Sequence, residues 1–141
     1  MSVKQISIFV ENQTGLLSEV TTLMAENGIN LRALSIADTS DFGILRVIVE
    51  DVEKAAEILR ENGNTYTVTE VLAVKMRDEA GGLAELLKVL ADAEIGLEYA
   101  YAFLLQKEGQ ACLVVRVADN AEAEAALKAA GIGIASQDEL F

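Results

Sequence analysis

The sequence predicts an α+β fold of two tandem βαββαβ units, with domains at residues 1–70 and 71–141. Three observations carry the prediction. Apolar residues alternate in some stretches and recur at helical spacing in others, in the order strand, helix, strand, strand, helix, strand. That order returns in the second half. The two halves also stay in register over most of their length, which is the mark of a duplication.

Ile6, Ile8 and Val10 alternate with Gln5, Ser7 and Phe9 and mark the first strand. Leu16, Leu17, Val20, Leu23 and Met24 then recur at helical spacing, opposite Ser18, Glu19, Thr21, Thr22 and Glu26. Between them, Glu11-Asn12-Gln13-Thr14-Gly15 is a strand-to-helix turn, with Asn12 or Thr14 the expected N-cap. Such a turn presents unpaired backbone N–H groups at the positive end of the helix dipole, where a carboxylate or phosphate can dock. Gly15 lets a ligand approach the backbone closely, having no Cβ.

Asn27-Gly28 stops this helix. Ile29 to Ala37 supplies a second strand, Asp38 to Gly43 a turn, and the β-branched run Ile44 to Val49 a third strand. Val52, Ala55, Ala56 and Leu59 share one face of a second helix, which Asn62-Gly63 ends. Thr65 to Thr69, with Tyr66 and Val68 in alternation, closes the unit as a fourth strand.

Gly15 aligns with Gly81 at an offset of 66, which also sets Leu17 on Leu83, Glu19 on Glu85, Ile29 on Ile95 and Leu31 on Leu97. Beyond the hairpin the offset becomes 68, with Asp51 on Asp119, Leu59 on Leu127 and Gly63 on Gly131. The two extra residues fall in the turn Gln106-Lys107-Glu108-Gly109, and the boundary near Glu70 has no linker. Two right-handed crossovers put both helices of a unit on one face of a four-stranded antiparallel sheet of order 4-1-3-2, the ferredoxin-like arrangement. Bare edge strands then invite pairing with a neighbouring copy.

Composition narrows the function. With 23 acidic residues against 11 basic ones the net charge is −12, and the scattered Lys and Arg disfavour nucleic acid and anionic membranes as partners. No apolar run is long enough to span a bilayer and no apolar leader opens the chain, so a cytoplasmic location is expected. The chain has no His and a single Cys112, flanked by apolar residues as in a buried strand. No nucleophile motif is present, so no enzyme activity, metal site or cofactor is expected.

The duplicated order, with Glu-Asn-Gln-Thr-Gly-Leu-Leu after the first strand and Asn27-Gly28-Ile29-Asn30-Leu31 entering the second, resembles the ACT domain family. The resemblance implies a small-molecule sensor, mostly of free amino acids, that regulates amino-acid metabolism allosterically. It further implies a ligand held between two domains paired side by side. One wall is then the first loop, with Asn12, Thr14, Gly15, Leu16 and Leu17. The other is the start of a partner's second strand, with Asn30 and Leu31. An Asn amide both donates and accepts, which suits an amino acid's carboxylate and ammonium.

The second copy departs from this pattern, with Asp78 in place of Asn12 and Gly96 in place of Asn30. Its Gly81, Gly82 and Leu83, with Glu98, form a weaker second site, in which Gly82 beside Gly81 keeps the loop open. If the two halves pair within one chain, Asn12 faces Gly96, Leu97 and Glu98, whose carboxylate takes the ligand ammonium; if first halves pair between chains, Asn12 faces Asn30 of the other copy. Many family members also carry Pro before the loop glycine; Thr14 and Ala80 stand there in this chain. Tyr99 and Tyr101, two apart on a strand, share a sheet face and are expected to fill an interface or line a groove. The implied partners are a free amino acid, a second copy in a homodimer, and an enzyme subunit. The alternative is a protein-interaction module that binds no small molecule and associates with an enzyme subunit through its sheet edges.

Overall fold

The computed structural model describes residues 1–11, 13–38, 42–104 and 109–141. Asn12, the middle of the first hairpin turn and most of the expected two-residue insertion lie outside them. The chain divides into two compact units, Lys4–Thr69 and Met1–Val3 with Glu70–Phe141.

The first unit holds β1 (Val3–Glu11), α1 (Leu16–Glu26), β2 (Leu31–Asp38), β3 (Phe42–Val49), α2 (Val52–Glu61) and the first part of β4 (Thr65–Arg77). Its strands run β2-β3-β1-β4. β3 lies antiparallel to both β1 and β2, with Glu11 beside Phe42 and Leu31 beside Val49. Alternation sends Ile6, Ile8, Leu45, Val47 and Val49 to one sheet face, where they meet Val20 and Met24 of α1 and Ala55, Ile58 and Leu59 of α2. That shared cluster is why both helices sit on the same side.

The second unit holds the rest of β4, then α3 (Gly82–Asp92), β5 (Leu97–Ala102), β6 (Gln110–Val117), α4 (Asn120–Ala129), β7 (Ile134–Ala135) and a 3₁₀ turn at Asp138–Leu140. Its path is β5-β6-β4, with β7 also paired to β4. Leu72, Val74, Leu113 and Val115 pack against Leu86, Leu90 and Leu127 as their counterparts do in the first unit. The duplication is carried into the element bounds. α1 and α3 start and end 66 residues apart, α2 and α4 as well as β3 and β6 are displaced by 68, and the irregularity in β2 between Leu31 and Ala33 recurs in β5 between Leu97 and Tyr99.

Three expectations are corrected. The fourth strand of the first copy and the first strand of the second are one continuous strand, because nothing between Thr65 and Arg77 breaks it and Val68, Val71 and Val74 favour extension. Its first part lies beside β1 in the first copy, and its second part lies beside β6 in the second. The N-cap of α1 is neither Asn12 nor Thr14 but Gly15, in the left-handed conformation at φ 91°. Last, β2 begins at Leu31 rather than Ile29, because Gly28 (φ 70°) and the following turn bring the Ile29 amide back onto the Met24 carbonyl.

Candidate functional site

The two strand-to-helix loops share one backbone design. Gly15 and Gly81 both hold φ 91°, with ψ −15° and −11°, and each is the N-cap of the helix that follows. A glycine cap has no side chain, so the first-turn N–H groups keep none of the local satisfaction that Asp51 and Asp119 give α2 and α4 by accepting from the Lys54 and Glu122 amides. In the first loop the Leu16 amide reaches the Gln13 carbonyl only at 3.4 Å. A helix start of this kind accommodates a carboxylate.

The expected residues divide into those that flank the opening and those that pack. Thr14 and Gly15 are exposed, and Leu16 lines a cleft between α1 and the turn after α2. Leu17 instead leans on the core, as its helical spacing with Val20 suggests, and Leu31 does the same. Asn30 is exposed just ahead of β2. Within one unit the loop and Asn30 do not meet. Glu11 stands beside Phe42 and Leu31 beside Val49, so they sit seven steps apart along β3, roughly 23 Å at strand spacing. A ligand touching both would need the second strand of another domain.

The second loop is shaped differently from the open one expected. Gly82 is buried, and a Cβ there would stand 2.1 Å from the Arg77 carbonyl oxygen. The Arg77 guanidinium bridges the loop, pairing with Glu79 at 2.8 Å and with Glu85 of α3. Hydrogen bonding to Glu85, then the charge of Glu79, raise the Arg77 pKa further above its ordinary value. Glu98 is likewise engaged, 3.2 Å from Arg116 Nε. Tyr99 and Tyr101 do share a face, stacked at 6.5 Å between ring centroids.

Sequence reasoning missed the carboxylates around the first loop. Glu11 and Glu19 both border the cleft beside it. The signal was available, since Arg77 stands at the position that Glu11 occupies in the other copy. Among the described residues no group of His, Cys, Asp and Glu is arranged to hold a metal ion, and no helix is long and apolar enough to cross a membrane.

Comparison with known proteins gives this duplicated α+β module a family. The chain belongs to the ACT domain pair family, whose model matches residues 1–139. A crystal structure of protein BT0572 from Bacteroides thetaiotaomicron is 36% identical, with a TM-score of 0.91 over 99% of this chain and 96% of that one. The regulatory subunit of aspartate kinase from Thermus thermophilus, in a ligand-free form, shares the fold at 18% identity, with a TM-score of 0.68 over 91% of this chain and 89% of that one. Acetolactate synthase small subunits of Buchnera aphidicola and Aquifex aeolicus are 26% and 31% identical over 60% and 49% of this chain. The matched stretches span 54% and 39% of those relatives.

Proposed function

We propose that this chain is an amino-acid sensor that binds a free amino acid between paired ACT domains and regulates amino-acid metabolism allosterically. One observation carries the reading: the bare start of α1 behind Gly15 and the polar entry to β2 at Asn30 lie at opposite ends of one unit. A small ligand can use both only where two domains meet.

In this reading Asn12, Thr14 and Gly15 hold the carboxylate end with the first-turn N–H groups, Leu16 and Leu17 border the side chain, and Asn30 and Leu31 come from the neighbouring domain. A second copy in a cytoplasmic homodimer is the proposed neighbour, and units of strand order 4-1-3-2 are the pieces that pair. A ligand shared by two domains favours the paired state by its differential affinity, and an enzyme subunit reads that state. Gly81, Gly82, Leu83 and Glu98 form the poorer site, since Arg77 and Arg116 already occupy the nearby carboxylates.

A second reading, a protein-interaction module without a ligand, draws on β2. Leu34 and Ile36 of this edge strand are 39% and 55% exposed, a surface on which a protein partner could dock. Thermal unfolding against each common amino acid separates the two. At 100 times its dissociation constant a ligand adds about 2.7 kcal/mol, worth several degrees in a chain of this size. A shift that Asn12→Ala abolishes supports the sensor; no shift at millimolar concentrations favours the interaction module.

A further inference from the structure

Each unit carries a cleft in the same place, between the start of its first helix and the turn that leaves its second. In the first unit the cleft has a volume of about 680 Å³ and is bordered by Glu11, Leu16, Glu19, Asn62 and Asn64. In the second it shrinks to about 240 Å³, with Arg77, Gly82, Glu85 and Gly131 in its wall.

The charges of the two clefts differ, with Lys75 in the second where Phe9 stands in the first and Glu26 bordering only the first. Glu19 and Glu85 occupy equivalent positions on α1 and α3, whereas Glu11 is replaced by Arg77. In the second cleft Glu85 holds the Arg77 guanidinium, with Glu79 on its other side. In the first, Glu11 accepts from the Gln13 amide at 3.0 Å, and Glu19 has no cationic partner among the described residues. The same helix-borne carboxylate therefore binds a guanidinium in one copy and faces a cleft nearly three times larger in the other.

We propose that the first cleft takes a free amino acid with a cationic side chain, its guanidinium or ammonium group between Glu11 and Glu19 and its carboxylate at the start of α1. The proposal rests on the amino-acid-sensor reading above and narrows its ligand class. Glu11 and Glu19 both border this cleft, and a cation placed between them is attracted to each. On the far wall stand Asn64 and the Asn62 side-chain oxygen, the Asn62 amide nitrogen already donating to the Ile58 carbonyl at 2.9 Å. A net charge of −12 raises the local concentration of a cationic ligand and repels an acidic one. The volume falls within the ordinary range of small-molecule sites.

Calorimetric titration of the full chain with arginine, lysine and their neutral counterparts citrulline and norleucine tests this, followed by the remaining common amino acids. Arginine or lysine is expected to bind, with the neutral counterpart up to about fivefold weaker, the upper range for a partly exposed ion pair. Glu19→Gln should remove that preference. Glu11→Arg, which gives the first copy the arginine of the second, should abolish binding while the ligand-free melting temperature is retained; if it unfolds the chain, Glu19→Gln decides alone. Binding of a neutral or acidic amino acid in preference to a cationic one, or cationic binding that Glu19→Gln leaves unchanged, overturns the proposal and leaves the sensor reading in place. No binding by any amino acid overturns the sensor reading and the proposal with it.

Discussion

Gly82 lies directly beneath the Arg77 carbonyl, so that a Cβ at position 82 would stand 2.1 Å from the oxygen. Both atoms are fixed by backbone, one at the end of β4 and one at the first turn of α3, so neither yields cheaply. Gly82→Ala is expected to destabilise the chain by about 1–3 kcal/mol, the cost of overpacking a closed site. Chemical denaturation reads it; an unchanged midpoint would mean that the second loop relaxes freely.

Glu94 occupies the left-handed region at φ 59°, where its equivalent in the first copy is Gly28 at φ 70°. A side chain there costs roughly 1–2 kcal/mol, and glycine returns part of that gain as unfolded-state entropy. Glu94→Gly should therefore stabilise by about 0.5–1 kcal/mol. Gly28→Glu should do the reverse. Equal stability for both variants and the parent would contradict the assignment of the helix stop.

Asp51 and Asp119 close the starts of α2 and α4, accepting at 3.0 Å and 3.1 Å from backbone amides three residues on. Replacing either by Ala is expected to cost about 1 kcal/mol, the ordinary worth of an N-cap. Thermal melts of the two variants should shift downward together, since the helices are structural twins.

Burial pushes the Cys112 thiol up to about 11 from its ordinary 9.0, with nearby Lys75 pulling the other way. The fold thus favours the neutral thiol. Its contribution is fully present below pH 9 and is lost as pH rises through 11, on the order of 2–3 kcal/mol. Cys112→Ala should remove that part of the alkaline loss, seen as a flatter stability profile between pH 9 and 11. Alkylation of the folded parent at pH 8 should be slow.

Much of the architecture was legible because local signals agreed with one another. The Asn-Gly stops after α1 and α2 each name a backbone need that a single residue meets, whereas the capping roles of Gly15, Asp51 and Asp119 emerge only from the structure. β4 was harder, since a repeat boundary suggests a break while Glu70-Val71-Leu72 supplies no residue that breaks a strand. The left-handed Glu94 was invisible for the opposite reason: no glycine marks it. At the candidate site the loop was evident, but the inverted charge at Glu11 and Arg77 gains meaning only once Glu85 is seen to hold the guanidinium.

The matched glycines also make the molecule its own control. Gly15 and Gly81 share a backbone geometry to within a few degrees of ψ, in one chain and at one concentration. In an amide spectrum recorded during a titration, the second glycine reports whatever salt, pH or dilution does to such a loop. Any movement of the first that its twin does not follow belongs to the ligand.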